Sequence, residues 1–174
     1  MTPPRTYRIS PVAAGEVPAI CALAREIWYQ HYPGIITVRQ IEYMLDQRYG
    51  PETILRQLES REAWWDKLEI GGRLAGFAQY EPGARPASMK LDKIDLHPRH
   101  RGKGFGSTLL EHVEAAARDR GMATLYLQVN KGNSRSIATY RRNGFVVAGT
   151  ARVDIGGGFY MDDYVMEKAV TSDK

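Results

Sequence analysis

Apolar residues recur at helical spacing through the first third of the chain. Between residues 16 and 32 an apolar side chain returns every three or four positions, which predicts a helix. A second helix is predicted over residues 37–49, with Thr37 as its N-cap, and a third begins at Pro51. A short strand over residues 7–12 precedes them. The main part of any sheet must therefore come later in the chain.

After residue 63 the pattern changes towards strands, with two helices between them. The predicted elements are a hairpin over residues 64–82, a strand over 87–98, a helix over 106–120, a strand over 123–129, a helix over 134–143 and a hairpin over 145–170. No linker or internal repeat interrupts this order. We therefore predict a single domain over residues 6–170, of the α+β class and with a largely antiparallel sheet.

Composition and charge narrow the function only slightly. The chain has 174 residues and a net charge of +4 without a dense basic stripe, so neither nucleic acid nor a membrane is predicted as a partner. Its one cysteine, Cys21, cannot form an intrachain disulfide and lies in an apolar helical pattern. No segment has the apolar length of a signal peptide or a transmembrane helix, which favours a cytoplasmic location.

A glycine-rich stretch, RGKGFGS over residues 101–107, lies between a predicted strand and a predicted helix. Backbone N–H groups at a helix start have no acceptors within the helix, and glycine lets an anion approach them closely. Arg99, Arg101 and Lys103 add positive charge nearby. The stretch favours an anion site, for which a diphosphate would be a natural ligand, although a tight turn with solvated charges would have the same composition.

Two familiar phosphate-binding loops do not match this stretch. The GxxxxGKS/T loop needs a lysine after its last glycine, where this chain has Ser107. The dinucleotide fingerprint GxGxxG fails because Gly102, Gly104 and Gly106 are evenly spaced and no parallel βαβ unit opens the chain. The loop on its own therefore favours an anion without identifying it.

Two motifs together resemble the GCN5-related N-acetyltransferase (GNAT) family. The pattern Arg101-x-x-Gly104-x-Gly106, behind a strand that ends at His97-Pro98, is similar to that family's acetyl-coenzyme A motif. The segment LYLQVNKGNSRSIATYRRNGF is similar to its strand, asparagine, Ala-x-Tyr and Gly-Phe pattern, here Asn133, Ala138, Tyr140, Gly144 and Phe145. The resemblance covers about residues 6–168. It implies the GNAT fold, a mixed, mostly antiparallel central sheet flanked by helices, with splayed fourth and fifth strands.

The resemblance also implies that acetyl-coenzyme A is the cofactor and indicates which residues hold it. The diphosphate would lie on the backbone of the loop formed by Arg101, Gly102, Lys103, Gly104, Phe105, Gly106 and Ser107. The pantetheine arm would insert beside the backbone of Ile94, Asp95, Leu96 and His97, and would meet Asn133, Ser136 and Tyr140 from the other side. Asn133 has a second interpretation as a helix N-cap, and both roles can hold together.

For catalysis the resemblance points to Tyr140. A phenol with a pKa of about 10 can protonate a thiolate whose thiol has a pKa of about 8.5; the alternative is an aromatic side chain packed under the last hairpin. Asp92 is the predicted base, because some family members carry their base near this strand position. Strand alternation predicts that Asp92 shares a face with Ile94 and Leu96, with Asp95 on the opposite face. A surface ion pair with a neighbouring lysine or arginine is the alternative role for Asp92.

The resemblance implies an acceptor site between the first two helices and the last hairpin, with direct acetyl transfer. The helices supply Trp28, Tyr29, His31 and Tyr32 to this site, and the hairpin supplies Asp154, Asp162 and Asp163. Of these, Trp28, Tyr29, Tyr32 and Asp162 are predicted to bind the substrate, because aromatic walls with a carboxylate suit a cationic amine. A small amine or polyamine is favoured, then a protein or peptide N-terminus, then an antibiotic. Both segments could equally be an ordinary helix end and a terminal strand.

Three further predictions concern assembly, metals and the alternative to catalysis. Many family members pair through terminal strands, which favours a homodimer. His97, His100 and His112 lack metal-ligand spacing and are expected to be solvated, so no metal site is predicted. The alternative to an enzyme is a catalytically silent acyl-coenzyme A sensor or interaction module. Loss of Tyr140 or of the glycine pattern would have favoured that alternative, and both are present.

Overall fold

A seven-stranded sheet runs through the computed structural model, which describes residues 6–171 of the chain. Its strands are β1 (Tyr7–Pro11), β2 (Trp64–Ile70), β3 (Arg73–Pro82), β4 (Ser88–Leu96), β5 (Thr124–Asn130), β6 (Val146–Gly156) and β7 (Phe159–Ala169). Their spatial order is β1-β2-β3-β4-β5-β7-β6. Every neighbouring pair is antiparallel except β4 and β5, which run parallel. The predicted α+β class with a mostly antiparallel sheet is confirmed.

Five α-helices are described, and each begins within one residue of its predicted start. They are α1 (Val17–His31), α2 (Val38–Arg48), α3 (Pro51–Ser60), α4 (Phe105–Asp119) and α5 (Ser134–Arg142). Thr37 caps α2 as predicted, since its hydroxyl oxygen accepts the backbone N–H of Gln40 at 3.1 Å. Within residues 6–171, no helix is long and apolar enough to cross a membrane.

Two hydrophobic cores lie on opposite faces of the sheet. On one face α4 buries Leu109, Leu110 and Val113 against the central strands. On the other face α1, α2 and α3 pack over Trp65 and Phe77. Burial of apolar surface stabilises the packing of helices on each face of the sheet. The central strands therefore lie between two helical layers.

Strand β4 carries a bulge at Asp92, and this bulge overturns one sequence prediction. Gln79 of β3 pairs with Lys93, whereas the next residue of β3 pairs with Leu91, so Asp92 is the extra residue. The alternation of side chains is therefore reset at this point. Ile94 packs against the core on the α4 side, whereas Asp92 points towards α2. The prediction that these two residues share a face was wrong, because simple alternation assumes an unbroken ladder.

The parallel pair β4 and β5 separates before either strand ends. Their ladder joins residues Ser88–Leu91 of β4 to residues Thr124–Leu127 of β5. Beyond it, β4 continues to Leu96 and β5 continues to Asn130 without pairing to each other. The fourth and fifth strands are thus splayed, as the family resemblance implied, and the gap between them opens into the middle of the protein.

Candidate active site

A cavity of about 640 Å³ lies between the splayed ends of β4 and β5. Helices α1 and α2, the glycine-rich loop and α5 form its remaining walls. Most of the residues predicted for the site line this one cavity, namely Trp28, Tyr32, Asp92, Ile94, Asp95, Leu96, Arg101, Gly102, Gly104, Gly106, Ser107, Asn133, Ser136 and Tyr140. Residues more than a hundred positions apart in sequence are therefore brought together at the splayed end of the sheet.

Two of the predicted substrate-binding residues lie outside the cavity. The Tyr29 hydroxyl is 3.4 Å from the Glu42 carboxylate, to which it donates a hydrogen bond away from the cleft. Asp162 is exposed and pairs with Lys131 at 3.1 Å. Both side chains have surface partners, so neither forms a wall of the cleft.

Three of the predicted cofactor residues also do not line the cavity. The Phe105 side chain is 8% exposed and belongs to the core under α4, and Lys103 is exposed. His97 is likewise 8% exposed, and its Nε2 atom lies 2.9 Å from a carboxylate oxygen of Glu26. The contact predicted for Lys103 and Phe105 uses their backbone N–H groups. The positions of their side chains therefore do not bear on that prediction.

Two histidines that were expected to be solvated are instead held by carboxylates. His97 is buried against Glu26, as described above. His112 lies with its Nε2 atom 2.7 Å from Asp66. The expectation was wrong because spacing along the chain excludes a local metal motif but carries no information about partners in distant elements.

The glycine-rich loop ends at the first turn of α4. Gly104 is the N-cap residue and has a φ of +87°, and Gly102 has a φ of +76°. The N–H of Thr108 bonds to the Gly104 carbonyl at 3.1 Å, so the N–H groups of residues 105–107 lie ahead of the first helical bond. Arg101, Arg135 and Arg142 line the cavity at this end. Free N–H groups, the helix dipole and these cations are the features that favour the binding of an anion such as a diphosphate.

Asp95 and Tyr140 face the cavity from its two sides. Tyr49 donates a hydrogen bond from its hydroxyl to Asp95 Oδ2 at 2.7 Å. Burial raises the pKa of the Asp95 carboxyl to about 6, although the Tyr49 hydrogen bond opposes the change. Burial, followed by the nearby Asp95 charge, raises the pKa of Tyr140, so its hydroxyl stays protonated at neutral pH. The cavity therefore presents a protonated phenol and a carboxylate that titrates at mildly acidic pH.

Asp92, the predicted base, is held among three cations. Its carboxylate lies 2.7 Å from Lys93 Nζ, 3.3 Å from Arg48 Nη2 and 3.4 Å from Lys90 Nζ. Burial alone would raise the pKa of Asp92, but the cations of Arg48 and Lys93 outweigh burial and hold this pKa well below its usual range. Such a carboxylate binds a proton weakly at neutral pH. The environment favours a structural role for Asp92 and makes Asp95 the better base.

The last residue of α2, Arg48, and its C-cap residue, Tyr49, are two site residues that sequence reasoning missed. Arg48 Nη2 donates a hydrogen bond to the backbone oxygen of Asp92 at 2.9 Å, and Tyr49 binds Asp95. Both therefore support the cavity-facing side of β4. The sequence does not distinguish Arg48 and Tyr49 as site residues, because polar residues at the end of a helix commonly face solvent.

Asp163 of β7 was expected near the acceptor site together with Asp162, but only Asp162 was predicted to bind the substrate. Its side chain is buried at 1% exposure, and neither carboxylate oxygen has a hydrogen-bond partner among residues 6–171. Burial raises the pKa of this carboxyl to about 6. Asp163 pairs with Asn130 of β5, which lines the cavity. Strand alternation would have found it, because Asp163 shares a face with the cavity-lining Met161, whereas Asp162 does not.

Comparison with known proteins gives the family of this chain. The model of the Acetyltransferase (GNAT) family matches residues 21–145, which include the glycine-rich loop, β4, β5 and α5. The chain therefore belongs to the acetyltransferase (GNAT) family, and the predicted family is confirmed.

Individual relatives agree with this family. The chain is 28% identical over 171 residues to spermidine N(1)-acetyltransferase of Thermoplasma acidophilum, covering 96% of the chain and 99% of that protein. It is 41% identical over 78 residues to streptothricin acetyltransferase of Streptomyces lavendulae, but this match covers only 45% of the chain and 41% of that protein.

Solved structures show the same fold. The crystal structure of PaiA N-acetyltransferase from Thermoplasma acidophilum in complex with coenzyme A has a TM-score of 0.79 at 25% identity, covering 94% of the chain and 99% of that protein. Ribosomal-protein-alanine N-acetyltransferase from Brucella melitensis has a TM-score of 0.68 at 25% identity, covering 93% and 99%. The GNAT fold predicted from the two motifs is confirmed.

Proposed function

We propose that this protein is an acetyl-coenzyme A-dependent N-acetyltransferase that moves the acetyl group directly to a primary amine. The observation that carries the proposal is the cleft between β4 and β5. One end of this cleft has the free N–H groups and arginines of a diphosphate site, and the same cleft is lined by Tyr140 and Asp95. Anion binding and proton transfer groups are thus combined in one cavity.

The cofactor fits the two halves of this cleft in different ways. The N–H groups at the start of α4 would hold the diphosphate, and the side of β4 that faces β5 would receive the pantetheine amides. Backbone groups on that side have no ladder partner beyond Leu91, because the pairing with β5 stops there. The His97 N–H faces the opposite side, since it bonds to the Ala75 oxygen of β3 at 2.8 Å, so this N–H does not donate towards the cleft.

An acceptor that arrives as a cation first releases one proton to solvent. From the neutral amine, the chemistry then requires one proton to leave nitrogen and one to reach sulfur. As the amine nitrogen forms a bond to the thioester carbon, it becomes acidic and Asp95 accepts its proton. When the C–S bond breaks, the Tyr140 hydroxyl donates a proton to the leaving thiolate. Asp95 has then gained one proton and Tyr140 has lost one, and exchange with solvent restores both. Of the two carboxylates that line the cavity, Asp92 and Asp95, only Asp95 has a raised pKa.

A small amine or polyamine is the favoured acceptor, with a protein or peptide N-terminus next. Trp28 and Tyr32 form an aromatic wall, with ring centroids 4.4 Å apart, and both line the cavity. Aromatic faces beside the carboxylate of Asp95 attract a cation through the ring quadrupole and through charge. The relative that matches nearly the whole chain acts on spermidine, which supports this order.

Release of free thiol from acetyl-coenzyme A tests the proposed activity. The protein is mixed with acetyl-coenzyme A and, separately, spermidine, an alanine-starting peptide and streptothricin. We expect thiol release that depends on the amine and is fastest with spermidine. Tight binding of coenzyme A without release for any amine would contradict the proposal and favour the catalytically silent sensor.

Substitution of Gly104 tests the loop as the diphosphate site. Gly104→Val should raise the Kd for coenzyme A by roughly tenfold or more, because a β-branched residue at positive φ is strained by about 1–3 kcal/mol. The strain is conformational, since a Cβ at Gly104 would meet no atom within 4 Å. Lys103→Ala, the matched control, removes an exposed charge and should change the Kd by less than about threefold. Equal losses in both variants, measured by calorimetry, would contradict a site made by the backbone.

Gly106 differs from Gly104, although the sequence treats the two alike. Gly106 lies in the first turn of α4 without a positive φ, and a Cβ there would meet only Thr139 at an ordinary 3.9 Å.

Four further features stay predictions: a homodimer, a cytoplasmic location, a single domain over residues 6–170 and the absence of nucleic-acid or membrane partners.

A further inference from the structure

His31, the last residue of α1, touches both walls of the cleft. Its Nδ1 atom lies 3.0 Å from Arg101 Nη2, in the loop that follows β4. Its Nε2 atom lies 3.0 Å from Asn133 Oδ1, in the loop that follows β5. The side chain also lines the cavity. One imidazole ring therefore bridges the two loops that follow the splayed strands β4 and β5.

The chemistry of the two partners determines the tautomer of His31. An arginine guanidinium can only donate hydrogen bonds, so Nδ1 must be the acceptor from Arg101. The proton of the neutral ring is then on Nε2, which donates to the Asn133 oxygen. A second proton on the ring would place an N–H group against the Arg101 cation and break that contact.

This arrangement orients both partners for a ligand. Asn133 occupies the N-cap position of α5, but its side chain does not cap the helix. With its oxygen held by His31, its amide NH2 group is the part left to donate to an amide carbonyl, such as those of pantetheine. Arg101 has five N–H donors, of which His31 engages one side of the guanidinium. The remaining donors suit the diphosphate.

We propose that His31 is a positioning residue for the cofactor, which holds Arg101 and Asn133 in the geometry that binds coenzyme A. This role goes beyond acetyl transfer itself, but it rests on coenzyme A being the ligand of the cleft. His31 thereby connects α1, which supplies Trp28 to the proposed acceptor site, with Arg101 and Asn133, which are proposed to contact the cofactor.

The groups around His31 keep the ring neutral. Burial lowers the pKa of His31, and the cations of Arg101 and Arg135 lower it further, whereas the Asn133 hydrogen bond opposes them. The ring of Tyr32 approaches edge-on, with centroids 4.9 Å apart, and adds no charge at neutral pH. The bridge is therefore intact at neutral pH and is lost as pH falls through the lowered pKa.

Three substitutions of His31 separate the two halves of the bridge. His31→Leu removes both hydrogen bonds and should weaken coenzyme A binding by about tenfold, the loss expected for two hydrogen bonds. His31→Asn keeps an acceptor near Nδ1, and His31→Gln keeps a donor near Nε2, so each should lose about threefold. Gln30→Leu, an exposed neighbour outside the cavity, is the control and should bind as the unaltered protein does.

Calorimetry with coenzyme A, in a series that starts at pH 7.5 and descends, is the measurement. The unaltered protein should lose more affinity than His31→Leu as the pH falls through the lowered pKa of His31, while ionisation of the cofactor phosphate affects both equally. A His31→Leu variant that binds within twofold of the unaltered protein at pH 7.5 overturns the proposal, even if its Tm falls. If the unaltered protein itself does not bind coenzyme A, the proposed function fails and this inference fails with it.

Discussion

Replacing Tyr140 by phenylalanine is expected to lower kcat by about 100- to 1,000-fold, the loss typical of a missing general acid. The Kd for coenzyme A should stay within about twofold, since only the hydroxyl is removed. The phenylalanine ring would keep the edge-to-face contact with Phe145, whose centroid is 6.0 Å away, so the fold should be retained. Steady-state kinetics with spermidine and calorimetry with coenzyme A measure the two effects separately.

Tyr164→Phe is the matched control for this prediction. Tyr164 packs against the same core but does not line the cavity, so loss of its hydroxyl should leave kcat nearly unchanged. An unchanged kcat in Tyr140→Phe would remove Tyr140 from the chemistry and leave it as a packing residue. A parallel rise in the Kd for coenzyme A would instead indicate a binding role.

Replacing Asp95 by asparagine is expected to lower kcat by about 100-fold and to abolish the acid limb of the pH–rate profile. In the unaltered protein kcat should rise with pH through a midpoint of about 6, because the Asp95 carboxyl accepts protons only when ionised. Asparagine keeps an oxygen that can accept the Tyr49 hydrogen bond, so the substitution changes the charge and preserves the local packing.

Asp92→Asn separates the two candidate bases. Lys93, whose side chain is 4% exposed, and Arg48 would lose the charge that pairs them. Breaking such a buried pair should lower the free energy of unfolding by about 3 kcal/mol, while the acid limb near pH 6 persists. Loss of the limb in Asp92→Asn, with a normal limb in Asp95→Asn, would restore Asp92 as the base.

Local features of the fold were predictable because their physical causes are local. The start of α2 was predictable because the Thr37 hydroxyl caps it. The loop before α4 was predictable because Gly102 and Gly104 can adopt the positive φ that it requires. The motif from Asn133 to Tyr140 carried the family resemblance, since its spacing reflects one turn and one helix. Burial on the two faces of the sheet then follows from helical and strand periodicity.

The roles of individual site residues were less predictable. A bulge at Asp92 moved this side chain to the face opposite Ile94, and alternation along one strand cannot reveal an irregularity in its ladder. Of the aspartate pair in β7, both were expected near the acceptor site, but the residue predicted to bind the substrate, Asp162, is exposed, whereas Asp163 is buried. In both strands the predicted position differed from the observed one by a single residue. In a strand, a shift of one residue moves a side chain to the opposite face.

The sequence by itself determined the family, the order of the elements and the loop that suits a diphosphate, because these depend on residues close together in the chain. Only the tertiary structure distinguished the environments of the two candidate carboxylates. Arg48 and Lys93 commit Asp92 to ion pairs, whereas burial beside Tyr49 raises the pKa of Asp95. It also placed His31 between the two walls of the cleft. These properties depend on charges and desolvation supplied by distant segments, which the spacing of residues does not encode.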